Sequence, residues 1–549
     1  MTASLVFINA RVLTMDAARP RASALAVAGN SILAVGEEDE IRDHIGSGTR
    51  VIDAAGATVM PGFVESHLHI FSGAYGQTLL QLADVKGFDA MKRAVEAFAV
   101  ARPNEGLLFA QGADYEILGA GVRLDRHALD AMCPDRPLAV VAYDFHTLFA
   151  NTAALKAAGL LDGRDLPVGN EVVMGDDGLA TGELREKFAL LPVLELRTSG
   201  GREMLGMSGI EPPQPPTEAE WREDVEILKA GMQFVASKGI TSIHNMDGNR
   251  HLLELLRDVE REGGLLARTS VPFHLTREMP LSELDRASAM TRDFVGDTLR
   301  CGRVKIFLDG VIESGTAAMV AEYADRPGLR GDPIFDLESF KEAAIEVDRR
   351  GLQITVHAIG DAAVRIALDG YQAARDTNGV RDSRHRIEHI EMIDPADIAR
   401  FAELGVIASF QPLHAPNGEN PTTRSIGAER AQTAYAWLAL AESGAVVAFS
   451  SDWPIVPIDP LLGIQTALTR KPHLPGLPDQ RLPLHLVLEA FTCNGAFAGH
   501  MEEKTGRLAA GMLADIVVLA GDIEATPVQE IGSLGIVMTV CNGRITHEA

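Results

Sequence analysis

Cysteine is scarce in this chain, and the few cysteines are not clustered. Among 549 residues there are only Cys133, Cys301, Cys493 and Cys541, and they form no CxxC or Cys/His motif. This wide spacing indicates neither a disulfide framework nor a thiolate zinc site. Because a chain without disulfides suits a reducing compartment, we expect a cytoplasmic protein.

Long apolar runs are missing as well. The chain has no stretch of about 18 apolar residues, the length that a membrane-spanning helix needs. Its first residues, MTASLVFINARVLTMD, lack a basic segment followed by a long apolar run. We therefore expect no membrane partner, which agrees with a cytoplasmic location.

Basic residues are outnumbered by acidic ones. Lys and Arg total 50 against 76 Asp and Glu, so the formal net charge is -26. Patches of Lys and Arg hold the phosphate groups of nucleic acids and anionic membranes, so this balance argues against both as partners. We expect a small-molecule substrate instead.

The composition favours a large folded core. Hydrophobic residues make up 46% and charged residues 23% of the chain, and no low-complexity tract interrupts it. A chain of this length could form one large α/β barrel with additions, so we expect two or three lobes.

Both ends of the chain are rich in short strand-like segments. Near the N-terminus LVFINA, ALAVAGN and SILAVG alternate with turn residues, and near the C-terminus ADIVVLAGD and GIVMTVCNGRITHE do the same. Asn542-Gly543 is a strong hairpin turn. We predict one β lobe built from residues 1–61 and 505–549.

Between these ends, helices alternate with strands. Thr217 and Glu220 form a capping box before a helix that Gly239 ends, and the strand ITSIHN follows. The same unit recurs before LQITVHA and VIASF. Short apolar strands after helices predict a parallel sheet, and repeated units favour a barrel over residues 62–504. Residues from about 72 to 215 fit this rhythm poorly and are predicted to be an insertion that caps the site.

Two histidines end the apolar run in VMPGFVESHLHIF. Residues i and i+2 of a strand point to the same face, so His67 and His69 present two imidazoles to one point. This arrangement suits a divalent metal. The alternative is that both histidines lie on a polar strand face without a ligand.

Three further strand ends carry residues that could bind a metal. His357 in QITVHAIGD, His389 in RHRIEHIE and Asp452 in VVAFSSDWP each follow an apolar run. In a barrel these ends converge on one face, where the active sites of that architecture lie. The ordered set therefore predicts a metal centre.

Several motifs together resemble those of the amidohydrolase superfamily, in particular its YtcJ-like branch, which includes N-substituted formamide deformylases. These motifs are PGFVESHLH, RVKIFLDG, VHAIGD, HRIEH, QPLH, SSDWP and KTGRLAAGMLADIVVL, and the resemblance covers nearly the whole chain. It implies a (β/α)₈ TIM barrel flanked by a composite β-sandwich from both termini, in agreement with the strand pattern.

The resemblance also implies a set of metal ligands. These are His67, His69, Lys305, His357, His389 and Asp452. Lys305 stands where related enzymes carry a lysine that is carboxylated by CO₂ and bridges two metals. Without this modification it would be a poor ligand, because an ammonium group has no lone pair to offer a metal. Its alternative is a lysine that is ion-paired beside Asp309. The expected cofactor is Zn²⁺, as one or two ions, with other divalent metals compatible.

Other positions receive supporting roles. The resemblance makes His146 a residue that could donate to substrate, and Asn151 a residue that holds the local turn. Glu183 and Asp309 are expected to support the site from behind. Four more histidines are expected to be structural or exposed: His127, His244, His385 and His414. Glu65 stands where family members usually carry Asp, and Trp453 is expected to narrow the pocket.

The expected chemistry is metal-assisted hydrolysis. A bound metal activates water and polarises a carbonyl group, while Asp452 accepts the proton and His389 or His146 supports the oxyanion. The predicted substrate is a linear amide, an N-formyl amine or an N-acyl amine. Ester, lactone or carbamate hydrolysis and deamination fit the same residues, and a non-catalytic barrel scaffold is the alternative of another class. Relatives often form dimers, so a homodimer is compatible with the resemblance.

Overall fold

The chain folds into two compact units. A computed structural model describes residues 1–143, 147–166 and 170–549. The first unit contains Met1–Ile70, Gly206–Glu211 and Met232–Ala549, and the second contains Phe71–Leu205 and Pro212–Gly231.

Strands and helices alternate along much of the chain. The strands are β1 (Leu5–Ile8), β2 (Arg11–Leu13), β3 (Arg21–Ala22), β4 (Ala24–Ala28), β5 (Ser31–Gly36), β6 (Arg50–Asp53), β7 (Thr58–Pro61), β8 (Phe63–Leu68), β9 (Leu80–Gln81), β10 (Leu108–Ala113), β11 (Leu138–Ala142), β12 (Thr147–Ala150), β13 (Glu171–Met174), β14 (Ala180–Arg185), β15 (Ile240–Asn245), β16 (Arg268–Ser270), β17 (Phe273–His274), β18 (Leu299–Arg300), β19 (Arg303–Phe307), β20 (Gln353–Ala358), β21 (Arg386–His389), β22 (Ile407–Phe410), β23 (Val447–Phe449), β24 (Ile516–Leu519), β25 (Ile536–Cys541) and β26 (Arg544–Glu548).

The helices vary widely in length. They are α1 (Glu38–Arg42), α2 (Ile70–Gly76), α3 (Phe88–Ala101), α4 (Arg126–Met132), α5 (Thr152–Ala157), α6 (Lys187–Leu194), α7 (Glu218–Ser237), α8 (Arg250–Arg261), α9 (Leu284–Asp293), α10 (Leu337–Arg349), α11 (Asp361–Asn378), α12 (Ile398–Leu404), α13 (Pro421–Arg430), α14 (Trp437–Glu442), α15 (Pro460–Thr469), α16 (Leu484–Ala490) and α17 (Cys493–Ala498). The predicted capping box is present, because the amide of Thr217 donates to the Glu220 carboxylate and the amide of Glu220 donates to the Thr217 hydroxyl. Among the described residues, no helix is both long enough and apolar enough to cross a membrane.

Two sheets of the first unit come from the ends of the chain. Their strand orders are β5-β4-β1-β6 and β26-β25-β24-β7-β2-β3. The second sheet joins strands from both termini, because β24 pairs with β7. Apolar side chains from the two sheets form one core that includes Phe7, Leu25, Val59 and Val518. This core fastens the start of the chain to its end.

Two further sheets of the first unit consist of parallel strands. Their orders are β18-β16-β15-β8 and β17-β19-β20-β21-β22-β23. Every residue of β8, β20 and β21 is buried, including their charged and polar residues. An isolated parallel bridge between Leu68 and Trp453 links the end of β8 to the residues that follow β23. The sheets are mixed overall, and the fold is of the α/β class.

The passage from the terminal sheet into the parallel sheet requires a glycine. Gly62 lies between β7 and β8, and an added Cβ there would lie 2.1 Å from Cγ2 of Thr241 on β15. A side chain at this position would therefore clash with the neighbouring strand. Because Gly62 has no side chain, the chain can pass directly from β7 to β8 next to Thr241.

The second unit is built on its own six-stranded sheet. The strand order is β13-β14-β12-β11-β10-β9. Leu108 and Ala110 of β10 contribute to the core on one face, and Phe109 contributes to the core on the other. This is the alternation expected of a strand with both faces buried. Asn151 caps α5 by accepting a hydrogen bond from the amide of Ala154, so it holds a local turn as expected.

A buried ion pair fastens the terminal sheet to the parallel sheet, and its removal is predicted to be costly. Arg268 of β16 donates to both carboxylate oxygens of Asp515, at 2.6 and 3.1 Å, and both side chains are buried. Asp515→Ala leaves the guanidinium buried without its partner, which typically costs about 3–5 kcal/mol. We expect a lower urea midpoint of unfolding.

The matched control for this variant is Asp479→Ala. Asp479 pairs with Arg481 on the surface, with both side chains about half exposed. Exposed pairs are worth roughly 0–1 kcal/mol. Equal midpoints for the two variants would contradict the proposed importance of the buried pair.

Candidate metal centre

His67 and His69 converge on one carboxylate. The Nε2 atoms of both rings lie 3.2 Å from Oδ1 of Asp452. The amide of Asp452 donates to the carbonyl of His67, and the amide of His69 donates to the carbonyl of Trp453, both at 2.8 Å. Because the backbones are paired in this register, the two imidazoles and the carboxylate meet at the ends of their strands.

His389 completes a buried cluster with this group. The ligand atoms of His67, His389 and Asp452 all lie within 4.8 Å of one another, as expected of a site that could hold a metal ion. The ring of His389 lies 4.9 Å from that of His67 and 4.5 Å from that of His357. The structure therefore brings the four sequence-predicted histidines and Asp452 together.

The backbone is strained at two of these positions. His389 has φ 76° and Asp452 has φ 68°. Residues other than glycine rarely adopt this left-handed conformation, which costs on the order of 1–3 kcal/mol. At both strand ends it turns the chain immediately where a predicted ligand stands. Such strain is common at functional sites.

Lys305 is fully buried beside these residues on β19. Among the described residues its Nζ atom has no hydrogen-bond partner, and it forms no ion pair. Its Nζ atom lies 5.0 Å from the centroid of the Phe307 ring. The expected alternative of a lysine ion-paired with Asp309 is therefore not what the structure shows.

Asp309 instead holds the backbone around His357. Its carboxylate accepts hydrogen bonds from the amides of Ala318, Ile359 and Gly360, at 2.8 to 3.0 Å. Burial raises the pKa of Asp309 to about 7, against the effect of these donors. The same carboxylate lies 3.7 Å from Nε2 of His357. Asp309 thus fixes the backbone that directly follows β20, the strand that carries His357.

Glu388 stands behind His67. Its Oε2 atom lies 2.8 Å from Nδ1 of His67, so Nε2 of that ring points toward Asp452. Glu388 also pairs with the buried guanidinium of Arg386 at 2.9 Å. Although burial opposes ionisation, Arg386 and His67 lower the pKa of Glu388 to about 2. Histidine ligands of metals are commonly oriented by a carboxylate in this way.

Burial keeps several of the imidazoles neutral. It lowers the pKa of His357 to about 3, with Lys305 adding to the effect, and it lowers the pKa of His389 well below its usual value. Although burial opposes the charged form of His69, Asp247 and Asp452 raise the pKa of that ring to about 9. A neutral imidazole has the lone pair that a metal ion requires.

His414 belongs to the site although its sequence context did not show this. It ends a single 3₁₀ turn after β22, and its Nε2 atom lies 3.8 Å from Oδ2 of Asp452. Its ring stacks on that of His389 with centroids 5.8 Å apart. The expectation that His414 is structural or merely exposed is therefore incomplete. The QPLH motif directly after a buried strand was the available signal.

The other predicted positions differ in their surroundings. Glu65 accepts hydrogen bonds from the amide and hydroxyl of Ser451, next to Asp452. In the second unit, Glu183 pairs with Arg185 at 2.6 Å. His146 lies outside the described residues. Trp453 is buried and its ring lies 5.7 Å from that of Phe234.

The residues fit a divalent metal. Several buried polar atoms at the cluster have no hydrogen-bond partner among the described residues: Nζ of Lys305, Nδ1 of His69, Nδ1 of His389, Nε2 of His414 and Oδ1 of Asp452. Unsatisfied polar atoms are rare in buried positions, because each costs free energy. Imidazole nitrogens around a carboxylate oxygen form a donor set that zinc and related ions prefer.

Comparisons with known proteins agree with this chemistry. The chain is 29% identical to Protein LONG AFTER FAR-RED 3 of Arabidopsis thaliana over 95% of this chain and 88% of that one. It is 28% identical to the putative amidohydrolase YtcJ of Bacillus subtilis over 98% of both chains. It is 24% identical to the N-substituted formamide deformylase of Arthrobacter pascens over 99% of this chain and 98% of that one.

Solved structures share the fold. A metal-dependent hydrolase of Pyrococcus furiosus superposes with a TM-score of 0.73 at 26% identity, covering 94% of this chain and 98% of that one. An adenosine deaminase of Xanthomonas campestris with bound zinc gives a TM-score of 0.53 at 14% identity, covering 99% and 93%. The fold and the buried cluster define a metal-dependent hydrolase.

The sequence model of the amidohydrolase family matches residues 50–547, which is most of the chain. The chain belongs to the amidohydrolase family and is similar to YtcJ.

Glu388→Gln is predicted to weaken metal binding. The amide has no negative charge to hold the Nδ1 proton of His67, and losing such a partner typically reduces metal affinity about 10–100-fold. Competition with a chelator, read by elemental analysis, measures the change. Glu338→Gln is the matched control, because Glu338 is 79% exposed and pairs with Lys341 on the surface. Unchanged affinity in Glu388→Gln would mean that Glu388 does not orient His67.

Proposed function

We propose that this protein hydrolyses the carbon–nitrogen bond of a linear amide, with N-formyl and N-acyl amines as its substrate class. The observation that carries the proposal is the convergence of His67, His69, His389 and Asp452 in one buried cluster. The similarity to an N-substituted formamide deformylase over nearly the whole chain supports this choice of bond.

The proposal includes a closed (β/α)₈ barrel over residues 62–504. The two parallel sheets adjoin at the segment that carries β16 and β17, and the bridge from Leu68 to Trp453 joins their other edges. Eight strand positions would then surround one core, with the metal site at their carboxyl ends. Residues 1–61 and 505–549 would form the composite β-sandwich beside it.

His67, His69, His357, His389 and Asp452 would hold the metal, with Lys305 between them. When bound, a divalent ion such as Zn²⁺ supplies Lewis acidity toward the carbonyl group and activates water for attack. The neutral imidazoles of His357 and His389 suit this role. The zinc in the distantly related adenosine deaminase structure supports zinc as the metal.

Asp452 is placed to move the proton. Its carboxylate would take one proton from the attacking water and return it to the leaving nitrogen, so that an amide and water become a carboxylic acid and an amine. The imidazole of His414 lies near the second oxygen of this carboxylate, with its Nε2 atom 3.8 Å from Oδ2. It would donate a hydrogen bond to the developing oxyanion, a role worth about 3 kcal/mol per donor.

Asp452→Asn tests the function and the base together. We expect hydrolysis of an N-formyl amine by the zinc-loaded wild type, and a loss of roughly 10²- to 10⁴-fold in kcat/KM in the variant. Metal content should change little. Hydrolysis is measured for N-formyl, N-acyl, carbamate, ester, lactone and amino-purine compounds. For the N-formyl amines the products measured are formate and the free amine.

Asp479→Asn is the matched control for this variant, because Asp479 lies on the surface and pairs with Arg481. Full activity in Asp452→Asn would reassign the base. The proposed reaction would be contradicted if the zinc-loaded wild type hydrolysed no amide, or if the protein held no stoichiometric metal. Either result would favour a non-catalytic scaffold.

Lys305 is proposed to carry a carboxyl group that bridges two metals. The neutral amine would add to CO₂ and release one proton, forming a carbamate whose oxygens can bind metal. The unpartnered Nζ atom supports this, and burial lowers the pKa of Lys305 to about 8, which favours the neutral amine.

Lys305→Ala is expected to bind one metal fewer than the wild type and to lose most activity. Elemental analysis of both proteins, after dialysis against zinc, measures the difference. Two metals and full activity in Lys305→Ala would contradict the bridging carbamate.

A further inference from the structure

A second cavity lies at the amino ends of the parallel strands. Its volume is about 390 Å³, and its wall includes Arg300, Arg303, Arg381 and His500. Cys301 and Gly302 precede β19, and Gly351 precedes β20 in the same wall. The cavity therefore opens where these strands begin.

This location separates the cavity from the metal centre. Arg303 is the first residue of β19, whereas His357 and His389 lie at or near the carboxyl ends of β20 and β21. A parallel strand rises about 3.3 Å per residue, so strands of five or six residues place their two ends on the order of 15 Å apart. A ligand in the cavity would not touch the proposed metal ligands.

Arg303 is a buried cation that has no carboxylate partner in the part of the chain that the structure describes. The residue is 6% exposed. Its Nη2 atom donates to the carbonyls of Asn245 and Ser270, at 2.9 and 3.1 Å. Its Nε and Nη1 atoms have no hydrogen-bond partner among the described residues. No described carboxylate lies within 4.0 Å of this guanidinium.

Arg300 lines the same cavity and is only partly buried. Its Nη2 atom donates to the carbonyl of Gly499, and it forms no ion pair with a described residue. Burial lowers the pKa of Arg300 to about 10, although the nearby carboxylates of Asp297 and Glu502 act in the opposite direction. A buried charge without a partner is costly, so a counter-ion beside Arg303 would stabilise the fold.

The other charged groups of the wall leave it positive. Arg381 is paired with Asp348 at 2.6 Å, and Asp382 is paired with Arg384 at 2.7 Å. Arg384, which does not line the cavity, also pairs with Glu502 at 2.7 Å. The charged residues of the lining are three arginines and Asp382, and no described carboxylate lies within 4.0 Å of Arg300 or Arg303. The chain as a whole carries a net charge of -26, so a concentration of arginine at one cavity departs from its general character.

We propose that this cavity binds a phosphate-class oxyanion at a site distinct from the metal centre. Guanidinium groups bind tetrahedral oxyanions through paired N–H donors, and several arginines around one cavity suit a doubly charged anion. A volume of about 390 Å³ exceeds what inorganic phosphate fills, so the cavity also has room for the organic part of a phosphate monoester. This inference goes beyond the proposed hydrolysis and does not depend on it.

The test uses the full-length, metal-loaded protein and inorganic phosphate as the probe. Binding to the native state raises the melting temperature in a saturable way, and titration calorimetry gives the stoichiometry and affinity. We expect one phosphate at the cavity of each chain, with no comparable stabilisation by sodium chloride at equal ionic strength. No saturable effect of phosphate would overturn the proposal.

Arg300→Gln locates the site. Losing a charge-assisted hydrogen bond should reduce phosphate affinity about tenfold or more. Arg11→Gln is the matched control, because Arg11 is an exposed arginine of β2 that pairs with Asp522. If Arg300→Gln does not fold, Arg381→Gln takes its place, since its side chain is 32% exposed and lines the same cavity.

Phosphate bound at the metal centre gives a different pattern. It would compete with substrate, would disappear when the metal is removed, and would be insensitive to Arg300→Gln and Arg381→Gln. That pattern would overturn the proposal. A loss of phosphate binding in the arginine variants, with metal content and hydrolysis unchanged, would support it whatever the enzyme's substrate proves to be.

Discussion

The backbone pairing between the end of β8 and the residues after β23 is the constraint on which the candidate centre depends. The amide of Asp452 donates to His67, and that of His69 donates to Trp453. These bonds set the register of the first and last parallel strands, and a shift of one residue would turn each side chain to the opposite face. The two imidazoles and the carboxylate therefore meet because backbone hydrogen bonds hold their strands together.

Charge is divided along the parallel strands. At their carboxyl ends lie neutral imidazoles and the carboxylate of Asp452, which suit a cation. In the interior, Glu388 links the two regions by holding His67 on one side and pairing with Arg386 on the other. At the amino ends lie Arg300 and Arg303, which suit an anion. A buried ion is tolerated when it has a partner of opposite charge. The groups at the carboxyl ends therefore favour a cationic ligand, and those at the amino ends favour an anionic one.

Much of the centre could be predicted because its residues stand at strand ends. His67 and His69 share a strand face by simple periodicity, and the remaining ligands follow apolar runs that end at polar residues. Glu388 was visible in HRIEH, but its contact with His67 could not be read, because it joins residues that are 321 positions apart. His414 was missed for the same reason, since the turn after β22 aims its ring at Asp452. The resemblance suggested Lys305, while its lack of an ionic partner is a property of packing.

The sequence by itself determined the strand and helix periodicity, the α/β class, the order of the candidate ligands and the family, because local spacing and motifs carry that information. Only the tertiary structure decided which polar atoms are left without partners, how His67 is oriented, and where the arginines of β18 and β19 gather. Those features depend on contacts between residues far apart in the chain and on the exclusion of water around them, and neither can be read from local spacing.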